Sequence, residues 1–186
     1  MPNDTYKFFR LDRSQKTHPI DPNNPDKFKK NGGGVLIAIK NDLDCETKTV
    51  KLKCKAEILA VEICLGNGKS ICLCTFYRVG TLEAENHRVV DAYLRTLTKM
   101  RKFNKIVLVG DVNLNKVSWP DGITTCQVQS DFIETFNDLN FTQLIDKPTH
   151  KEGKILDLLL TSSPEIVSDV NICQEDVVCK SKPLCH

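Results

Sequence analysis

The sequence lacks the features that mark several protein classes. It has no long apolar run of the kind that crosses a bilayer, and residues 1–13 are polar, without the apolar core of a signal peptide. It has no internal repeat, no low-complexity tract and no Cys-x2-Cys zinc knuckle. The formal net charge is only +2, so charge alone does not indicate a nucleic-acid partner. We therefore expect an intracellular protein with no membrane partner.

The composition is that of a globular protein. The chain has 186 residues, of which 40% are hydrophobic and 27% charged, which is enough for one domain with a sizeable core. The nine cysteines are an odd number, and Cys54, Cys64, Cys72 and Cys74 fall inside apolar strand patterns. We interpret them as reduced core residues. The spacing of the cysteines in the tail, residues 173–186, is not typical of zinc.

Apolar periodicity predicts strands mixed with two helices, arranged as packed sheets flanked by helices. The segment 14–31, rich in Pro, Asn, Asp and Lys, is predicted as an exposed loop that ends at three glycines. Asn67-Gly68 predicts a hairpin turn. The predicted helices span residues 83–103 and 130–139, the second with Ser130 as N-cap. The predicted strands are 35–39, 50–64 (bent or split), 71–77, 106–109, 142–145, 155–161 and 166–172.

The most informative stretch is the strand 106–109 followed by Gly110-Asp111-Val112-Asn113. Side chains alternate faces along an extended chain, so Asp111 and Asn113 are predicted to point to the same side. In open α/β sheets, ligands bind at the carboxyl ends of strands. A carboxylate and an amide in that position suit a phosphate, a metal ion or an attacking water.

Two further residues stand at positions that suit a site. Asp157 interrupts an apolar strand, so it is either paired with a partner such as a histidine or faces water from a one-sided strand. Tyr77 ends the strand 71–77, where a phenol either donates to a phosphate or packs half-buried.

Other features have two interpretations each. Trp119 could stack on a base, although an anchor for its loop is the simpler role. Lys51, Lys53 and Lys55 could face a phosphate backbone, although lysines also protect edge strands. His87 is predicted on an exposed helix face, and no Ser-His-Asp arrangement is evident.

Several segments together resemble the endonuclease/exonuclease/phosphatase family, and more narrowly its branch in non-LTR retrotransposons of the jockey/LINE type. Each motif is short, but their order and spacing also match, from about residue 5 to about residue 180. The resembling segments are 9–13, 32–40 (GGGVLIAIK), 74–78 (CTFYR), 107–119 (VLVGDVNLNKVSW), 136–150 and 154–165 (KILDLLLTSSPE).

The resemblance implies an α/β (α+β) fold, a four-layered α/β/β/α sandwich of the DNase I-like type. It also implies Mg²⁺-dependent nicking of target DNA, which for a functional protein would take place in the nucleus. Tyr77 would contact the scissile phosphate, Asp111 would orient or deprotonate the attacking water, close to the metal, and Asn113 would hold the phosphate. Asp157 would pair with the active-site histidine. Residues implied to contact DNA are Arg78, Asn115, Lys116 and Trp119.

The resemblance is incomplete at both ends. The family opens with strands that carry an asparagine and a metal-binding glutamate, and neither has a counterpart before Phe8. Where the family has Ser-Asp-His, this sequence has Lys182-Pro183, and His186 comes three places late. We therefore expect a single partial domain over 1–186, with a divergent tail at 173–186, that is weakly active or inactive; a mistaken gene model at either end explains the departures equally simply. The alternatives are a non-catalytic remnant that binds nucleic acid or protein, and a phosphatase of the same superfamily.

Overall fold

The computed structural model describes residues 5–14, 33–43, 45–51, 56–78, 83–100, 103 and 105–172, without the side chains of 83–86. These residues form eight strands, two α-helices and a short 3-10 helix, Pro164–Ile166. The elements in chain order are β1 (Tyr6–Asp12), β2 (Gly34–Lys40), β3 (Glu46–Thr49), β4 (Glu57–Gly66), β5 (Lys69–Tyr77), α1 (Glu83–Lys99), β6 (Lys105–Asp111), α2 (Gln127–Asp138), β7 (Thr142–Gln143) and β8 (Asp157–Thr161).

The strands form one large sheet and one small sheet. The large sheet has the order β3-β4-β5-β6-β8-β7, and β1 pairs with β2 in the small one. All neighbouring strands are antiparallel except β5 and β6, which are parallel because α1 carries the chain back between them. The predicted hairpin at Asn67-Gly68 is confirmed: both residues have positive φ angles, 51° and 72°, and they join β4 to β5.

One face of the large sheet packs against the two helices. Both helices place a stripe of apolar residues on this face, as their spacing predicts. The helical residues in the core are Val90, Tyr93, Leu94, Leu97, Phe132 and Phe136, and they meet sheet residues that include Ile58, Cys72, Cys74, Leu108, Leu158 and Leu160. Cys72 and Cys74 are fully buried, in agreement with their predicted core role, whereas Cys64 is only half-buried.

The other face of the large sheet is covered by the small sheet over β4 and β5. Ile37 and Ile39 of β2 pack on Leu59 and Val61 of β4. Val109 of β6 remains 40% exposed. The described residues therefore build three layers, which are helices, large sheet and small sheet. This arrangement agrees with the predicted α+β class, and no helix of the described ranges lies outside the small sheet.

Some predicted elements differ from the structure. Helix α2 begins at Gln127 with Cys126 as N-cap, because the Ser130 amide already donates to the Cys126 carbonyl within the first turn. The prediction of a strand over 166–172 is wrong: Ile166 ends the 3-10 helix, and 167–172 is irregular. Strands β1 and β3 were not predicted, because their exposed outer faces give no clean apolar alternation.

Other predictions fall where the chain is not described. The loop 14–31 beyond Ser14, the tail 173–186, Cys54, Lys53 and Lys55 lie outside the described residues, and Lys51 lies in irregular backbone. Among the described helices, none is long and apolar enough to cross a membrane.

Candidate active site

Four side chains stand side by side at one end of the large sheet. Glu57 of β4 pairs with Tyr77 of β5, and Asp111 of β6 pairs with Asp157 of β8. Tyr77 and Asp111 each lie two residues beyond the registered pair Thr75 and Val109. Residues in register point to the same face of a sheet, so these four side chains form one row, on the face away from the helices. We call Glu57, Tyr77, Asp111 and Asp157 the carboxylate row.

Gly110 allows β5 and β6 to approach closely beside the row. A Cβ atom at Gly110 would lie 1.8 Å from the carbonyl oxygen of Phe76 in β5, so no larger residue fits without a backbone shift. The glycine of the Gly-Asp-x-Asn motif is therefore required by strand packing and not by a phosphate. Its effect is to bring Asp111 next to Tyr77.

The chain turns sharply after Asp111. Asn113 adopts the left-handed conformation, with φ of 53°, which asparagine tolerates better than most residues. The amides of Val112 and Asn113 both donate to the carbonyl of Leu156, at 3.0 and 3.2 Å. This turn places Asn113 beside Asp111. The sequence predicted instead that the chain stays extended through Asn113.

Asp111 is held in a half-buried environment. Burial and the neighbouring charge of Asp157 raise the pKa of the Asp111 carboxyl, while the backbone amide of Asn113 and the cationic groups of Arg78 and His150 act in the opposite direction. The Oδ1 atom of Asp111 is buried and has no hydrogen-bond partner among the described residues. A buried acceptor without a donor is costly, so this oxygen suits a cation or a bound water.

The carboxylate of Glu57 forms an ion pair with Arg13, the residue that directly follows β1. The Nε and Nη2 atoms of Arg13 donate to the two carboxylate oxygens of Glu57, at 2.7 and 3.2 Å, and Glu57 is only 1% exposed. This pairing raises the pKa of Arg13. The Arg13 guanidinium also lies over the Tyr77 ring, 5.3 Å from its centroid, and fits because Gly33 has no side chain.

Arg78 does not lie at the surface. It is 1% exposed, and its guanidinium donates to the carbonyls of Val112 and Asn113. This burial contradicts the expectation that Arg78 contacts DNA directly.

Three residues predicted to contact DNA lie in the loop after β6. Asn115 and Lys116 are exposed, and both are tied to the fully buried Gln129 of α2, which donates to the Asn115 side chain at 3.1 Å and accepts from the Lys116 amide at 2.9 Å. Trp119 packs against the helix-side core, consistent with a loop anchor. It also borders a cavity of about 300 Å³ with Phe136 of α2, on the face opposite the carboxylate row.

His87 differs from the sequence expectation. His87 is half-buried, not exposed: its ring contacts Phe132 edge to face at 4.9 Å, and its Nε2 lies 3.0 Å from the Thr135 hydroxyl. His150 follows Thr149, whose hydroxyl accepts from the Asp157 amide at 3.1 Å.

Sequence reasoning missed Glu57, Arg13 and Gln129. Glu57 gives the same signal as Asp157, an acid within an apolar strand, and could have been found by it. Arg13 and Gln129 give no such signal, because their importance depends on contacts between distant parts of the chain.

The comparisons with known proteins agree with this geometry. A family model described as endonuclease-reverse transcriptase matches residues 71–180, which is more than half of the chain. The fold is that of an endonuclease/exonuclease/phosphatase-type protein. The chain belongs to the endonuclease-reverse transcriptase family. No curated protein matches it significantly.

Two solved structures are similar in fold. The catalytic domain of human Nocturnin, solved with a bound sulfate anion, is 15% identical, with a TM-score of 0.50 over 85% of this chain and 60% of that chain. The endonuclease domain of TRAS1, a telomere-specific non-LTR retrotransposon, is 17% identical, with a TM-score of 0.49 over 67% of this chain and 57% of that one. The chain thus spans about three fifths of each. At this identity the likeness to Nocturnin supports the DNase I-like fold alone.

Proposed function

We propose that this chain is a metal-dependent phosphodiesterase domain that nicks DNA, as part of a non-LTR retrotransposon protein. The observation that carries this proposal is the carboxylate row: a phenol and three carboxylates in register at one end of a sheet, beside the Asn113 turn. Family membership supports a nuclease, and the resemblance to non-LTR retrotransposon proteins supports DNA as the substrate. Action on chromosomal DNA would place the protein in the nucleus.

Each residue has a role that its position supports. The Tyr77 hydroxyl would donate to a non-bridging oxygen of the scissile phosphate, and the Asn113 carboxamide would hold a second oxygen. Asp111, half-buried beside the Asn113 turn, would accept a proton from the attacking water. Asp157 would accept a hydrogen bond from the same water and so hold it in line with the phosphorus atom.

A divalent metal fits this site in part. The buried, unpartnered Oδ1 of Asp111 and the neighbouring Asp157 carboxylate are hard oxygen ligands, which Mg²⁺ prefers. The described residues contain no group of three or more His, Cys, Asp or Glu side chains that could hold a metal ion. Mg²⁺ often binds through one or two carboxylates, with waters and substrate phosphates completing its shell. Asp111 and Asp157 would hold it, and it would neutralise charge that develops on the phosphate.

We expect slow nicking. Glu57, the third acid of the row, is occupied by Arg13 and contributes no charge to a metal. Two carboxylates bind Mg²⁺ weakly, and groups that act as a unit lose most of their effect when one is missing.

A supercoiled-plasmid assay tests the proposal. Nicking should require Mg²⁺, stop with EDTA, and be lost in Asp111→Ala and Asp157→Ala. The matched control is Asp42→Ala, which changes an exposed acid in the turn after β2 and should nick as the unchanged chain does. Nicking that persists in Asp111→Ala would exclude this site.

The same protein preparations separate the alternatives. A binding module would retain salt-dependent affinity for DNA without nicking. A phosphatase would release inorganic phosphate from small phosphoesters without binding DNA. The family match favours the nuclease over both.

A further inference from the structure

Arg78 lies directly beneath the carboxylate row. It follows Tyr77, so its side chain points to the opposite face of the sheet. There it enters the helix-side core, 5.4 Å from the ring centroid of Phe132 in α2. A fully buried arginine next to a site residue needs a structural reason, because burial of a charge is costly without strong partners.

The partners of Arg78 are three consecutive carbonyls. Its backbone amide donates to the carbonyl of Asp111 at 3.0 Å, its Nε donates to that of Val112 at 2.6 Å, and its Nη2 donates to that of Asn113. One residue thus binds the last strand position of β6 and both residues of the turn that follows. The two bonds from the guanidinium are charge-assisted, and charge-assisted hydrogen bonds are shorter and stronger than neutral ones.

The Asp111–Asn113 turn bound by Arg78 contains an unfavourable backbone conformation. Asn113 is in the left-handed conformation, which is unfavourable for a residue with a side chain. The Leu156 carbonyl, just before β8, accepts from the amides of the turn, whereas Arg78, just after β5, donates to its carbonyls. The turn is therefore held from both sides, and Phe132 restricts the guanidinium from below.

We infer that Arg78 is a positioning residue, which fixes the Asp111–Asn113 turn so that the carboxylate and the carboxamide face the same phosphate. Arginine suits this role because its planar guanidinium can donate to two adjacent carbonyls at once, and lysine offers a single ammonium in its place. The catalytic part of this inference rests on the proposed nuclease function; the structural part does not.

The test compares Arg78→Met, Arg78→Lys and the matched control Arg95→Met, which removes an arginine that pairs with Asp91 of α1 and Asp138 of α2. With a labelled DNA duplex and Mg²⁺, Arg78→Met should lower kcat about 100-fold with KM changed less than about threefold, since small misplacements of catalytic groups have effects of that size. Arg78→Lys should recover part of the loss. A kcat loss in Arg78→Met no larger than in Arg95→Met would overturn the inference.

Amide hydrogen exchange gives a readout without catalysis. Exchange at Val112 and Asn113 should be about tenfold faster in Arg78→Met than in the unchanged chain, and should be unaffected in Arg95→Met. If Arg78→Met does not fold, the same comparison is made with Arg78→Lys. Unchanged exchange at both amides refutes the inference. If the unchanged chain does not nick DNA, the nuclease proposal fails, and the exchange result still decides whether Arg78 positions the turn.

Discussion

Asp111 of β6 and Asp157 of β8 are directly paired across two antiparallel strands, and burial together with the charge of Asp157 raises the pKa of Asp111. Like charges at paired positions destabilise a sheet. The pair is therefore not explained by stability, and it is typical of a site that receives a cation or a proton.

Asp111→Asn should stabilise the metal-free protein at neutral pH. Because the pKa of Asp111 is raised in the folded protein, its contribution to stability is fully present below the ordinary value of 3.8 and is lost as pH rises through the raised value. An uncharged asparagine avoids that loss. Denaturant unfolding in EDTA should therefore show Asp111→Asn as the more stable protein at pH 7, with the difference gone near pH 3.

The control for this experiment is Asp42→Asn, which neutralises an exposed acid in the turn after β2. The stability of Asp42→Asn relative to the unchanged chain should be about the same at pH 7 and near pH 3. A destabilisation by Asp111→Asn of equal size at both pH values would show that the charge is not the cause.

Arg13→Met should destabilise the protein by about 3–5 kcal/mol, because it removes the guanidinium that pairs with the buried carboxylate of Glu57. The double variant Arg13→Met with Glu57→Gln should regain much of this loss, since a neutral amide is less costly to bury. Urea unfolding measures both. The control Arg10→Met breaks the exposed pair with Asp12 and should change stability by less than about 1 kcal/mol. Equal losses in Arg13→Met and Arg10→Met would contradict the importance given to burial.

Gly110→Ala should prevent folding or destabilise the protein by about 3 kcal/mol, because its methyl group would collide with the Phe76 carbonyl. Gly68→Ala is the matched control: its φ is +72°, but a Cβ there meets no atom within 4 Å. Its cost should be limited to about 1–2 kcal/mol for the left-handed backbone. Thermal unfolding compares the two, and a milder effect at Gly110 than at Gly68 would refute the close approach of β5 and β6.

Lys116→Met should weaken DNA binding without changing the strand fold. Lys116 is exposed in the loop after β6, and loss of one phosphate contact should lower the slope of log affinity against log salt by about 1. Fluorescence anisotropy at several salt concentrations measures the slope. Lys69→Met, at the other end of β5, is the control and should leave it unchanged. Identical slopes for Lys116→Met and the unchanged chain would remove Lys116 from the DNA interface.

The sequence was informative where structure depends on local pattern. The hairpin at Asn67-Gly68, helix α1 and the strands that end at Tyr77 and Asp111 follow from turn chemistry and apolar periodicity. The structure also brings Tyr77, Asp111 and Asp157 to one sheet end, and their chemical roles stay predictions.

What the sequence did not reveal depends on contacts between distant segments. The buried state of Arg78 could not be predicted, because an arginine beside a tyrosine gives no sign of which carbonyls it will meet. The pairing of Arg13 with Glu57 joins residues of different sheets. The N-cap of α2 was misplaced because Ser130 is a favourable cap by type, whereas the backbone had already begun the helix at Gln127.

The hairpin at Asn67-Gly68 lies at the far end of β4 and β5 from Glu57 and Tyr77. Over the eight residue steps of β5 this separation is roughly 26 Å. The tip is exposed and has open space around Gly66 and Gly68. A fluorophore, an affinity tag or a new pair of chain termini introduced at this tip would therefore leave the approach of a long polymeric substrate unobstructed.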